Sequence, residues 1–290
     1  MSENADSGLN VFLEIYDLFQ EVKVEKPLLE TVRLFDLLLG GALGETALGL
    51  LQQEKTGLLD VAQKRKGGMP LEYIVGLVSF MGRTFFCSPE TFIPKKQTEV
   101  LYKVALDFLQ QKQEYESNLT IIDMGTGCGN IAITLAMNSD STRIFGCEIC
   151  PEAVEIAYKN VDKFHLRERV SLLCGDLFSP FEGLGYEGRI DMVVCNPPYI
   201  PTGSLFKLSP EVVDYEPKVA LDGGVFGIDF YRRLVVESLS MLKPRGILVF
   251  EIGVGQEELI TRLLIGKGSY EHVQYHGEGA EIRVMSARKK

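Results

Sequence analysis

In the second half of the chain, short apolar runs alternate with longer amphipathic stretches. The runs are "LTIIDMG", "RIFGCEI", "VSLLCGD", "IDMVVCN" and "GILVFEI", and "PEAVEIAYKNVDKF" and "DFYRRLVVESLSML" lie between members of the set. Each run is apolar on successive residues rather than on every second one, the pattern of strands covered on both faces. Helical periodicity between such strands predicts an α/β fold, a parallel sheet wrapped by helices. The last two strand-like runs, "YEHVQYHG" and "EIRVMSARKK", are joined by a short glycine-bearing turn with no room for a crossover helix. They are predicted to pair antiparallel, which gives a seven-stranded, mostly parallel sheet closed by a C-terminal hairpin.

The first 68 residues have a different rhythm. Leu28, Val32, Phe35 and Leu39 recur at helical spacing and Gly40-Gly41 supplies a stop, while residues 11–19, 45–53 and 58–64 read as further short helices. A small helical bundle follows, a packing or recognition domain over residues 1–68. Residues 69–94, "MPLEYIVGLVSFMGRTFFCSPETFIP", are rich in aromatic and β-branched side chains punctuated by Gly76 and Gly82, and predict one or two short hairpins connecting two domains. The third part, residues 95–290, opens with "TEVLYKVALDFLQQ", whose Val100, Leu101, Val104, Ala105, Phe108 and Leu109 share a helix face with Thr98 as N-cap.

Composition narrows the class. The formal net charge is -10, so a polyanion would be repelled and nucleic acid is not expected as a partner. No apolar run approaches the roughly 20 residues of a membrane span, and the first residues carry no secretory pattern, so no membrane partner and a cytoplasmic location are expected. Six cysteines lie mostly within apolar runs, as small buried side chains in a reducing compartment do. Cys147 and Cys150 form a lone CxxC with no second pair or placed histidine, and no metal is expected.

The alternating elements with a terminal hairpin resemble the Rossmann-like layout of class I S-adenosylmethionine-dependent methyltransferases. Within it, "IIDMGTGCGNIAITLA" runs from a strand through Asp123, Gly125, Thr126, Gly127 and Gly129 into a helix. Such a turn lies outside the C-terminal edge of the sheet, where open α/β folds bind ligands. The spacing is GxGxG rather than the GxGxxG of dinucleotide folds, and a nucleotide without a pyrophosphate fits it better. The next strand ends at Glu148-Ile149, about 20 residues on, where a carboxylate can accept both ribose hydroxyls. A third ends at Asp176-Leu177, an acceptor for an adenine amino group with an apolar neighbour beside the ring. Each acid taken singly could equally be a capping residue; three at successive strand ends point to a cofactor site.

The fourth strand delivers "NPPY", Asn196, Pro197, Pro198 and Tyr199, to the same edge. An amide or aromatic amine is a poor nucleophile towards a sulfonium methyl because its lone pair is delocalised. A site that holds its N–H groups with two acceptors favours the tetrahedral nitrogen that can react. Asn196 offers a side-chain oxygen, Pro197 a backbone carbonyl whose direction Pro198 restricts, and Tyr199 a ring to stack on a planar group. Asn-Pro is also a common turn, and the motif alone leaves amide, adenine and cytosine nitrogens open.

Two further segments narrow that choice. "PLEYIVG" with "FMGRTFFCSPETFIP", and "DYEPKVALDGGVFGIDFYRRL" after the NPPY turn, resemble the HemK/PrmC family of protein glutamine methyltransferases. The resemblance spans nearly the whole chain. It implies S-adenosyl-L-methionine as methyl donor and, as acceptor, the glutamine of the Gly-Gly-Gln loop of a peptide-chain release factor, bound in part by the helical domain. One stretch departs from the family: Lys95, Lys96 and Gln97 stand where an arginine, a proline and an acid are usual. That keeps a second acceptor class in view, a small-molecule amine or amidine.

Overall fold

The computed structural model describes residues 2–39, 55–266, 268–278 and 281–290. It divides into two compact units, Met1–Pro89 with Ser209–Tyr215, and Glu90–Leu208 with Glu216–Lys290.

The first unit holds α1 (Ser2–Glu21), α2 (Pro27–Leu39), α3 (Lys55–Lys66), α4 (Leu71–Val75) and the hairpin of β1 (Leu77–Phe80) and β2 (Arg83–Phe86). Its core joins Val11, Ile15 and Phe19 of α1, spaced to share one face, to Leu34 and Leu37 of α2 and Leu58 and Ala62 of α3. Of the stripe that predicted α2, Phe35 packs partly buried against this core, whereas Leu28 and Val32 are exposed and Thr31, Leu34 and Leu37 face inward. Thr31 can be buried because its hydroxyl donates to the Pro27 carbonyl at 2.8 Å. Glu30 is buried against Arg33 and Arg65, and Arg65 reaches on to Glu211, so burial leaves these charges paired. The Gly40-Gly41 stop and the helix expected at residues 45–53 lie outside the described residues.

Of the one or two hairpins expected over residues 69–94, one forms, β1–β2. The segment ahead of it, "LEYIV", is a short helix closed by Gly76 in the left-handed conformation.

The second unit runs α5 (Thr98–Gln113), β3 (Thr120–Met124), α6 (Asn130–Met137), β4 (Arg143–Glu148), α7 (Pro151–Lys163), β5 (Val170–Cys174) and β6 (Ile190–Cys195), and after a long excursion α9 (Asp229–Met241), β7 (Leu242–Glu251), α10 (Glu257–Ile265), β8 (Tyr270–Glu278) and β9 (Glu281–Lys289). Within the excursion, α8 (Pro210–Tyr215) belongs to the first unit. Thr98 is the first helical residue of α5 rather than its N-cap; Gln97 takes that position and no side chain caps it.

The sheet order is β5-β4-β3-β6-β7-β9-β8, parallel through β7 and antiparallel at β7–β9 and β9–β8. The chain moves outward from β3 to β5 on one side, then returns to lay β6 on the other. That reversal opens a crevice at the carboxyl ends of β3 and β6. Register fixes what emerges there: Met124 lies opposite both Cys147 and Cys195, and Cys195 opposite Phe250. Gly125, Glu148, Asn196 and Glu251, each one residue further on, therefore share one rim. β6 is buried at every position, and Tyr231, Leu234 and Val235 of α9 pack in the same core. No described helix is long and apolar enough to cross a membrane.

Candidate active site

The turn after β3 is clamped from below. Asp123 is fully buried, and its Oδ2 accepts from the Thr126 hydroxyl at 2.7 Å and the Ala132 amide at 3.0 Å, tying the loop to the first turn of α6. Burial pushes its carboxyl up to about 6 despite those two bonds, and Oδ1 meets no donor among the described residues. The amides of Gly125 and Thr126 both donate to the Cys147 carbonyl, at 2.8 and 2.9 Å. Gly127 has φ +54° with open space where a Cβ would stand, so glycine serves its conformation and leaves the loop uncovered. Gly129, at φ +83°, starts α6; a Cβ there would lie 3.1 Å from Ile133 and 3.5 Å from Ala157.

Glu148 stands beside the loop. Its Oε2 accepts from the Gly127 amide at 3.0 Å, and Oε1 from the amides of Ile149 and Cys150 at 2.8 and 3.1 Å. Three backbone donors hold the carboxylate, and its remaining lone pairs can still take hydroxyls. Ile149 is an exposed apolar residue on the rim, whereas Leu177 is buried with φ +48°. Asp176 accepts from Arg233 Nη1 at 3.0 Å on both oxygens, a pairing the sequence does not predict.

The NPPY turn meets this rim from the other side of the crevice. Asn196 donates its Nδ2 to the Thr98 hydroxyl at 3.1 Å, and Thr98 donates to Glu251 Oε2 at 2.9 Å. Tyr199 donates its hydroxyl to Glu251 Oε1 at 3.1 Å, and burial beside that carboxylate pushes the phenol far above its ordinary range. The turn is also strapped by backbone bonds to "LDGG": Ile200 donates to the Leu221 carbonyl at 3.1 Å, Gly223 to Ile200 at 2.8 Å and Thr202 to Gly224 at 2.9 Å. Gln256 adds a bond from Nε2 to the Tyr199 carbonyl at 3.0 Å.

Between these walls lies a cavity of about 580 Å³, within the usual range of small-molecule sites. Gly125, Thr126, Gly127, Glu148, Ile149, Asp176, Leu177 and all four residues of the turn line it. Asp123 and Gly129 do not; one braces the loop from beneath and the other lets α6 begin. Phe92, Thr98, Phe230 and Arg233 also line it and were not singled out from sequence. Of these only Thr98 drew notice there, as a cap, because long-range partners leave no periodic signal. Among the described residues no group of histidine, cysteine and carboxylate side chains could hold a metal.

Residues 115–278 match a family described as a methyltransferase domain. The release factor glutamine methyltransferase of Moorella thermoacetica is 38% identical over 259 residues, 87% of each chain. That of Bacillus cereus is 37% identical over 225 residues, 78% of each. Among solved structures, the hMettl16 catalytic domain aligns with a TM-score of 0.55 at 18% identity, over 81% of this chain and 82% of that one. A methyltransferase from Pyrococcus furiosus aligns at 0.50 and 17% identity, over 73% and 91%.

Proposed function

The chain belongs to the release factor glutamine methyltransferase family, and from that premise we propose that it methylates the side-chain amide nitrogen of the glutamine in the Gly-Gly-Gln loop of a peptide-chain release factor. The observation that carries the reading is the meeting of the NPPY turn and the glycine loop in one cavity.

The residues present fit S-adenosylmethionine as donor. The uncovered face over Gly127 admits the ligand close to backbone, the spare lone pairs of Glu148 suit ribose hydroxyls, and Ile149, Leu177 and Phe230 give apolar surface for a base. Asp176 can accept an adenine amino hydrogen on a lone pair not used by Arg233. When bound, this cofactor supplies a methyl group on a sulfonium.

The chain's own groups address the acceptor. Asn196 Oδ1 and the Pro197 carbonyl receive the two N–H groups of the glutamine amide, drawing the nitrogen out of conjugation so that its lone pair can form the new N–C bond as the S–C bond breaks. Tyr199 covers the amide plane and helps exclude water. No base is needed before transfer; the nitrogen becomes cationic on methylation and then sheds a proton.

The other acceptor class, a free amine or amidine, has less support. Lys95, in the departing stretch, still makes a buried-end ion pair, with Glu216 at 2.5 Å, so the wall it belongs to stays braced. The deciding experiment is transfer of labelled methyl groups to a release factor and to one whose loop glutamine is changed to alanine. Labelling of the first alone is expected; equal labelling of both, or of neither, overturns the proposal.

A further inference from the structure

We propose that Thr98 and Glu251 are positioning residues that fix which end of the Asn196 carboxamide faces the acceptor nitrogen. The inference rests on the amide-methylation reading above. A carboxamide has a donor end and an acceptor end of nearly equal size. Only the oxygen end can receive an N–H; the flipped group would set two donors against each other. Asn196 has no intrinsic reason to choose, so its surroundings must.

The choice follows from counting protons. Glu251 ends β7 at 2% exposure, and when ionised it can only accept. Thr98 has one hydroxyl proton, which it donates to Glu251 Oε2 at 2.9 Å. Its oxygen then presents lone pairs alone, and only the Nδ2 end of Asn196 can use them, at 3.1 Å. Asn196 Oδ1, which accepts no bond among the described residues, is left for the acceptor. The same carboxylate takes the Tyr199 hydroxyl on its other oxygen at 3.1 Å, so a single buried charge orients both side chains.

Protonating Glu251 would undo the choice, because Thr98 would then receive a proton from it and could turn its own towards Asn196. Arg283, on neighbouring β9, is the positive charge facing this carboxylate, and Tyr199, Tyr231 and Cys195 are the titratable neighbours. Burial raises its carboxyl above the ordinary 4.5, with the Thr98 and Tyr199 bonds and Arg283 opposing. Turnover should therefore fall on the acid side with a midpoint above that value and be unaffected well above it.

The test reads the side-chain amide protons of Asn196 by nuclear magnetic resonance in the full chain, isotope-labelled at asparagine, for wild type, Thr98→Ser, Thr98→Val and Glu251→Gln. Wild type and Thr98→Ser should share a hydrogen-bonded amide shift that disappears as pH falls; Thr98→Val should lose it, and Glu251→Gln should lose its pH dependence. In turnover, Thr98→Val should lower kcat by about 10- to 100-fold, the scale of one misdirected transition-state contact, with a much smaller change in donor KM. Thr98→Ser should restore most of that loss. An unshifted Asn196 amide in Thr98→Val, or wild-type kcat in that variant while Asn196→Ala is inactive, would overturn the proposal. The resonance is read with no acceptor present, so failure of wild type to label a release factor would count against the substrate assignment alone.

Discussion

Lys95 and Glu216 form an ion pair at 2.5 Å in which the carboxylate side chain is only 1% exposed while the lysine is 38% exposed. Lys95 stands between β2 and α5, and Glu216 opens the segment that returns to line the cavity wall at Pro217 and Val219. Lys95→Met would remove this cation from a buried anion. A loss of about 1–3 kcal/mol in denaturant unfolding is expected, towards the lower end because the lysine is partly solvated. Lys95→Arg should lose far less, since the charge is kept.

Asn196→Ala should separate binding from chemistry. Donor affinity measured by calorimetry is expected within about 5-fold of wild type, while kcat falls by at least about 100-fold, the scale of a lost transition-state contact. Parallel losses of both would place Asn196 in the cofactor site rather than opposite the acceptor.

Glu148→Ala should do the reverse. Removing a carboxylate held by three amides, and with it two expected ribose contacts, should weaken donor binding by roughly 10- to 100-fold, as charge-assisted hydrogen bonds do. At saturating donor, turnover should stay close to wild type.

Asp123 predicts a pH signature in stability. Its folded carboxyl sits at about 6 against an ordinary 3.8, so between those values the folded chain holds a proton that the unfolded chain has released. Its favourable contribution is complete below 3.8 and is lost as pH rises through about 6. The expected fall is on the order of 2–3 kcal/mol. Asp123→Asn, which can still accept from Thr126 and Ala132, should abolish that slope in urea titrations across the same range. A wild-type slope in the variant would assign it to another group.

Much of the sheet and its rim was legible in the sequence for a physical reason. A strand buried on both faces must be apolar throughout, as β6 is, and a chain that places acids and an Asn-Pro-Pro turn at the ends of such strands exposes its chemistry in one linear pattern. The helix α2 was legible as an element but not in its orientation. Leu28 and Leu29 are exposed while Leu34 and Leu37 are buried, and a back-bonded threonine and a paired glutamate occupy positions that hydropathy assigns to solvent. The short helix "LEYIV" went unread within the aromatic and β-branched residues 69–94 because Pro70 and Gly76, not side-chain propensity, bound it. Thr98 has the residue type and place of a cap, yet its hydroxyl is taken by a carboxylate 153 positions away. Arg233 on Asp176 and Gln256 on Tyr199 are invisible for the same reason: nothing local encodes them.

The loan of residues Ser209–Tyr215 to the first unit bears on how the protein is made. Arg65 meets Glu211 across 146 positions of intervening chain, and the Tyr215 hydroxyl reaches the Gly67 carbonyl across 148. During synthesis the helical unit must therefore wait, one element short, until β3 to β6 have left the ribosome. A gene fragment ending anywhere before codon 215 would yield that unit without its last piece.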